Sequence, residues 1–95
     1  MAKNINFTQQ GDLWISEDIT VNNDYNIHLE RDGGGAVQLG QKTAGDLFAS
    51  VVLPQTPGLY SGTTVDIDIS HGIYPKTIKI TSYSKVITGI ITVKQ

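Results

Sequence analysis

The chain has 95 residues, a formal net charge of −2 and no cysteine. Its seven Lys and Arg are scattered, which excludes the basic stripe of a nucleic-acid binder and the basic amphipathic helix of a membrane-surface protein. Without a thiol, neither a disulfide nor a cysteine-bound metal is open to it.

This length suits one domain, residues 1–95, burying roughly 60–70% of its unfolded surface. No window approaches the ~20 apolar residues of a membrane span. The first ten residues, MAKNINFTQQ, hold one Lys and no apolar stretch, unlike a secretory signal. The expectation is folding in a reducing cytoplasm. A cell surface is the alternative if a signal peptide has been removed.

Strand patterns follow one another along the chain. Residues 12–16 hold the only Trp, Trp14, and residues 18–22 put Ile19 and Val21 on one face. Asn23-Asp24 is a turn signal. Tyr25, Ile27 and Leu29 then alternate with Asn26, His28 and Glu30, the pattern of a half-buried strand. Gly33-Gly34-Gly35 predicts a hairpin turn, because glycine enters positive-φ positions freely. Val37 and Leu39 would form the hairpin's second strand.

Residues 40–45 read as a loop. Residues 47–53 read as a strand with Leu47, Ala49, Val51 and Leu53 on one face; a helix over 43–53 is the weaker alternative. Residues 54–62 form the longest irregular stretch, with Leu59 and Tyr60; loops of this kind often carry function. Strands follow over 64–70, 76–82 and 86–94. Seven to eight strands with turns every 8–12 residues predict an all-β fold, a single antiparallel sandwich. Jelly-roll and immunoglobulin-like orders both remain open.

The candidate motifs for chemistry do not hold up. Gly35 to Thr43 nearly reproduces a phosphate-binding GxxxxGK[ST] loop, but Gln41 is inserted before Lys42 and no helix follows. Asp66 and Asp68 share a strand face opposite the isoleucines, as a solvated face pairing with Lys76 or Lys79 across a hairpin would. Two carboxylates are too few for calcium. His28 and His71 lie in different elements, too few for zinc. No catalytic residue, metal or cofactor is expected.

Trp14, Tyr60, Tyr74 and Tyr83 would supply rings for stacking on a sugar, with Trp14 read first as a core anchor. Trp14, Leu59 and Tyr60 are the candidate partner or ligand contacts. The last strand carries more apolar surface than a one-sided sheet needs. Ile87, Gly89, Ile91 and Val93 form one face; Val86, Thr88, Ile90 and Thr92 form the other. Lys85 and Lys94 bracket the run as gatekeepers. Either the strand is central in its sheet and covered on both faces, or that second face is the candidate contact between subunits, since an uncovered apolar strand invites another chain.

The N-terminal MAKNINFTQQGDLW, the Thr-rich strands, the glycines at 33–35 and the lack of cysteine resemble small structural proteins of tailed phages, of the capsid-decoration or head-fibre-base type. That resemblance implies a compact, trimeric, non-enzymatic β-subunit on a virion shell, assembled in the bacterial cytoplasm. Its partners would be copies of itself and a capsid or other virion protein, with neither nucleic acid nor membrane. The alternative is a carbohydrate-binding module using an aromatic face.

Overall fold

The computed structural model describes residues 2–42, 49–50, 62–70 and 72–94. These residues form strands and connections, with no helix among them. Ten strands follow in chain order: β1 (Ala2–Asn4), β2 (Phe7–Gln10), β3 (Leu13–Ser16), β4 (Ile19–Val21) and β5 (Tyr25–Arg31). The second half supplies β6 (Val37–Lys42), β7 (Ala49–Ser50), β8 (Thr64–Ile69), β9 (Lys76–Ser82) and β10 (Val86–Val93).

The pairing is nested. β1 pairs with β10, β3 and β4 with β9, β5 with β8, and β6 with β7, all antiparallel. The first half of the chain thus runs against the second as one long folded ribbon. Two further pairings, β10 with β5 and β9 with β6, roll that ribbon into two sheets. One sheet has the order β1-β10-β5-β8; the other runs β2-β3-β9-β6-β7, with β4 continuing the β3 side of β9. The first will be called sheet A, the second sheet B.

Period-two alternation drives the packing. Tyr25, Ile27 and Leu29 of β5, Val65 and Ile67 of β8, and Ile91 of β10 point inward from sheet A and are buried. They meet Ile19 and Val21 of β4, Leu39 of β6, and Ile78 and Ile80 of β9 from sheet B. Each such side chain contributes about 1.5–3 kcal/mol by leaving water. Val65, Ile67, Ile69, Ile78 and Ile80 are core, as their alternation predicts, while Ile73 between them is 83% exposed.

The all-β, sandwich-like architecture with antiparallel sheets agrees with the sequence reading. Several local expectations do not. β1 and β2 escape the sequence pattern because they are short, largely polar and mostly exposed; they exist through pairing with β10 and β3. Residues 33–35 do not close a hairpin. They carry the chain from β5 in sheet A to β6 in sheet B, because both sides of β5 are occupied by β10 and β8.

Nor do those glycines supply positive φ; among the described residues that belongs to Gly11, at 62°. Gly35 is needed for a close approach instead. A Cβ there would lie 2.8 Å from the Tyr83 carbonyl carbon and oxygen, and the Gly35 N–H donates to Ser84 Oγ at 2.8 Å. Gly40, Gln41 and Lys42, expected in a loop, extend β6 because β9 offers them partners at Lys79, Ile78 and Thr77. Of the strand expected over 47–53, the described part, Ala49–Ser50, is strand; the rest, and most of 54–62, lie outside the described residues.

Candidate functional site

The outer face of sheet A is the surface that the candidate contact residues define. Its cross-strand rows follow from the register. Asn4, Ile90, His28 and Asp66 form one row. Ala2, Thr92, Asn26 and Asp68 form the next, and Thr88, Glu30 and Thr64 a third. Residues opposite one another on one face are close enough for their side chains to interact. Ile90 is thus an apolar side chain, partly buried, in a polar row at the middle of the sheet.

An irregularity between Val86 and Thr88 splits the face read from the sequence. Val86 pairs with Arg31 and Thr88 with Glu30, so two steps along β10 oppose one along β5. Such a bulge shifts the alternation by one residue. Val86 therefore turns inward, partly buried against the core. It does not share a face with Thr88, Ile90 and Thr92. Ile87, expected beside Gly89 and Ile91, is pushed out and is 66% exposed.

Electrostatics gather on the β5–β8 side of the same face. His28 Nδ1 and Asp66 Oδ1 are 2.8 Å apart, and His28 Nε2 lies 3.6 Å from Glu30 Oε1. Thr64 Oγ1 donates to Glu30 Oε2 at 2.8 Å. The hydrogen bond to Asp66 raises the imidazole pKa above its ordinary value; burial opposes this, and the charges of Asp66 and Glu30 add to it. Lys94 Nζ meets Asp68 Oδ1 at 3.3 Å. The lysines expected opposite these aspartates are elsewhere, because β8 pairs with β5 rather than with β9. Lys79 meets Asp18 at 3.4 Å, and Lys76 donates to Gln41 Oε1 at 2.9 Å. Among the described residues, no group of three His or acidic side chains is placed to hold a metal ion.

Among the described aromatic candidates, Tyr74 stands apart from Trp14 and Tyr83. Trp14 is partly buried and outside the core cluster, so it is neither the expected core anchor nor an open platform. Its backbone pairs with Ser82, at the same end of β9 as Tyr83. Tyr74 lies beyond the opposite end of that seven-residue strand, about 20 Å along the sheet at strand rise. Its hydroxyl donates to Asp24 Oδ1 at 2.7 Å, which anchors the ring instead of presenting it. Leu59, Tyr60 and His71 lie outside the described residues.

Sequence reasoning missed Arg31. The alternation Tyr25, Ile27, Leu29 continues to position 31 and puts that guanidinium inside, where it is 3% exposed. Nη1 donates to Ser82 Oγ at 3.2 Å and Nη2 to the Gly62 carbonyl. The signal was the period itself. The cluster of His28, Glu30 and Asp66 was half legible: alternation puts each on an outer face, but nothing local says that residue 28 meets residue 66.

No family model matches this chain, and no curated protein and no solved structure matches it either.

Proposed function

We propose that the chain is a non-enzymatic structural module of a phage virion, a jelly-roll subunit that associates with copies of itself on a capsid shell. The observation that carries this reading is the nested strand order. Strands β1-β10-β5-β8 in one sheet and β3-β9-β6-β7 in the other arise when one long antiparallel ribbon rolls up. An immunoglobulin-like order changes sheets only from B to C, C to D and E to F, whereas here β1 to β2, β4 to β5, β5 to β6, β7 to β8, β8 to β9 and β9 to β10 each change sheets. Jelly rolls recur in viral capsid and lectin domains, and this step from fold to function is one of analogy.

The surface supports the same reading. Thr88, Ile90 and Thr92 stand on the outer face of sheet A, and exposed Ile87 extends the apolar surface toward the bulge. Copies joined there as a trimer would bury Ile90 and Ile87 in a closed, symmetric contact. Assembly in the bacterial cytoplasm and a second contact with a capsid protein complete the proposal.

Light scattering tests it. The wild type is expected to be an oligomer, and Ile90→Asp to shift it to monomer while the far-ultraviolet spectrum stays β-type. A wild-type monomer at high concentration, or an Ile90→Asp oligomer of unchanged affinity, would reject self-association through this face.

A further inference from the structure

β8 is an edge strand of sheet A. It pairs with β5 on one side, and among the described residues no strand pairs with its other side. The hydrogen-bond phase fixes which groups face that open side. The Arg31 N–H donates to the Thr63 carbonyl at 2.8 Å, so residues 31 and 63 form a hydrogen-bonded pair. Along an antiparallel ladder such pairs alternate with non-bonded ones. Val65, Ile67 and Ile69 therefore turn their backbone groups toward β5, and Thr64, Asp66 and Asp68 turn theirs away from it. Among the described residues no hydrogen bond reaches those outward amides and carbonyls.

An open row of this kind is a template for an added strand. Its side chains decide which strand. Asp66 and Asp68 keep 57% and 59% of their side chains exposed, and Glu30 lies beside them on the same face. Three carboxylates thus share one lysine, Lys94, and one histidine, His28. Pairing with a second copy of β8 centred on these residues would set aspartate against aspartate, which is destabilising. A strand with basic residues at alternate positions would set a cation beside each. No two of the chain's seven Lys and Arg stand two positions apart, so none of its own segments supplies such a strand.

We propose that the β8 edge takes up an extended basic segment of another protein, antiparallel to β8, with lysine or arginine opposite Asp66 and Asp68. The backbone ladder supplies affinity and the two aspartates select charge. Charges on an edge strand also guard against unwanted pairing, but that role alone predicts no uptake of a basic strand. The edge is a different surface from the face around Ile90, so this contact does not depend on self-association.

The probe is the end-blocked peptide Thr-Lys-Val-Lys-Val-Thr, titrated into the full chain at low salt, with amide chemical shifts and amide hydrogen exchange as readouts. Saturable shifts over residues 64–69 are expected. New protection should appear at the Asp66 and Asp68 amides, which face outward, with little change at Val65 and Ile67, already bonded to β5. Replacing both acids, Asp66→Asn with Asp68→Asn, should weaken binding about fivefold, the scale of two exposed ion pairs. Both aspartates are exposed, so the core is untouched. A peptide with glutamates for the lysines should not bind. Methylation of the backbone nitrogen of the second lysine keeps its charge and should abolish the protection. No saturable shift at millimolar peptide, shifts without protection at Asp66 and Asp68, unchanged affinity in the double variant, or equal binding of the acidic or the methylated peptide would each overturn the proposal.

Discussion

Arg31 reaches from sheet A to sheet B, its Nη1 donating to Ser82 Oγ at 3.2 Å inside the sandwich. Its other nitrogen, Nη2, donates to the Gly62 carbonyl at the start of the β8 arm. Ser82 in turn donates to the Ser84 carbonyl at 2.6 Å, tying the turn after β9 to the same point. Burial pulls the guanidinium pKa below its ordinary value, though an arginine stays charged regardless. The Nε atom is buried without a hydrogen-bond partner among the described residues, a cost that opposes the two bonds made.

Arg31→Ala should therefore destabilise the fold by about 2–4 kcal/mol, through lost packing and two lost hydrogen bonds. Arg31→Met keeps most of the volume and removes the buried charge, which limits the loss to about 1 kcal/mol. Urea unfolding monitored by Trp14 fluorescence measures both. Equal losses in the two variants would show that the hydrogen bonds, and not the packing, dominate.

Phe7 and Gly89 form a second link between the sheets. A Cβ on Gly89 would lie 2.9 Å from Phe7 Cε1 and 3.3 Å from Leu29 Cδ2. Gly89 is the small residue that lets the Phe7 ring lie over the central strand of sheet A. Gly89→Ala should cost about 1–3 kcal/mol, the usual penalty of overpacking. Phe7→Leu in the same chain should recover part of that loss. A double-mutant cycle by urea unfolding reads the coupling, which for residues in contact reaches about 0.5–3 kcal/mol.

The strands with clean alternation were legible because burial on one face imposes period two on the sequence: β5, β8 and β9 are of this kind. Their partners were not legible. The β5–β8 register sets His28 opposite Asp66 across 38 positions of chain, and no local pattern encodes a pairing that long. The crossover at 33–35 looked like a hairpin because glycine serves both a tight turn and a close backbone approach. The bulge at Val86 and Thr88 was hidden for a related reason. An inserted residue in an uncharged, β-rich run leaves the composition unchanged and moves only which side chains face in.

Tyr74 and Asp24 close the opposite end of the sandwich. The Tyr74 hydroxyl and the Gly72 N–H both donate to Asp24 Oδ1, at 2.7 and 3.1 Å. Burial, first, and the Asp24 hydrogen bond raise the phenol pKa well above its ordinary 10.0. Tyr74→Phe should cost about 1–2 kcal/mol, since a hydrogen bond to a charged acceptor is lost. The linkage has a defined sign. A phenol raised on folding contributes fully below pH 10, and that contribution is lost as pH climbs through the folded value. The alkaline fall in the urea midpoint should be shallower in Tyr74→Phe than in the wild type. Parallel pH profiles would assign the alkaline fall to other groups.

His28 gives the outer face its response near neutral pH. Its imidazole pKa is raised by the Asp66 hydrogen bond, so the folded state holds the proton more tightly than the unfolded chain. The associated stability is complete below about pH 6.5, the ordinary histidine value, and disappears as pH rises through the folded value. The side chains of His28 and Asp66 are 35% and 57% exposed. Solvent screening therefore keeps the effect below about 1 kcal/mol. The urea midpoint should be higher at pH 6 than at pH 8.5 in the wild type, and Asp66→Asn should remove most of that difference. Side-chain resonances of His28 should titrate above those of a histidine in the urea-unfolded chain. Because Ile90 shares a row with His28, the same titration alters charge beside the proposed subunit contact. Light scattering at the two pH values, with His28→Gln as the control, should show a pH dependence of association that the variant lacks.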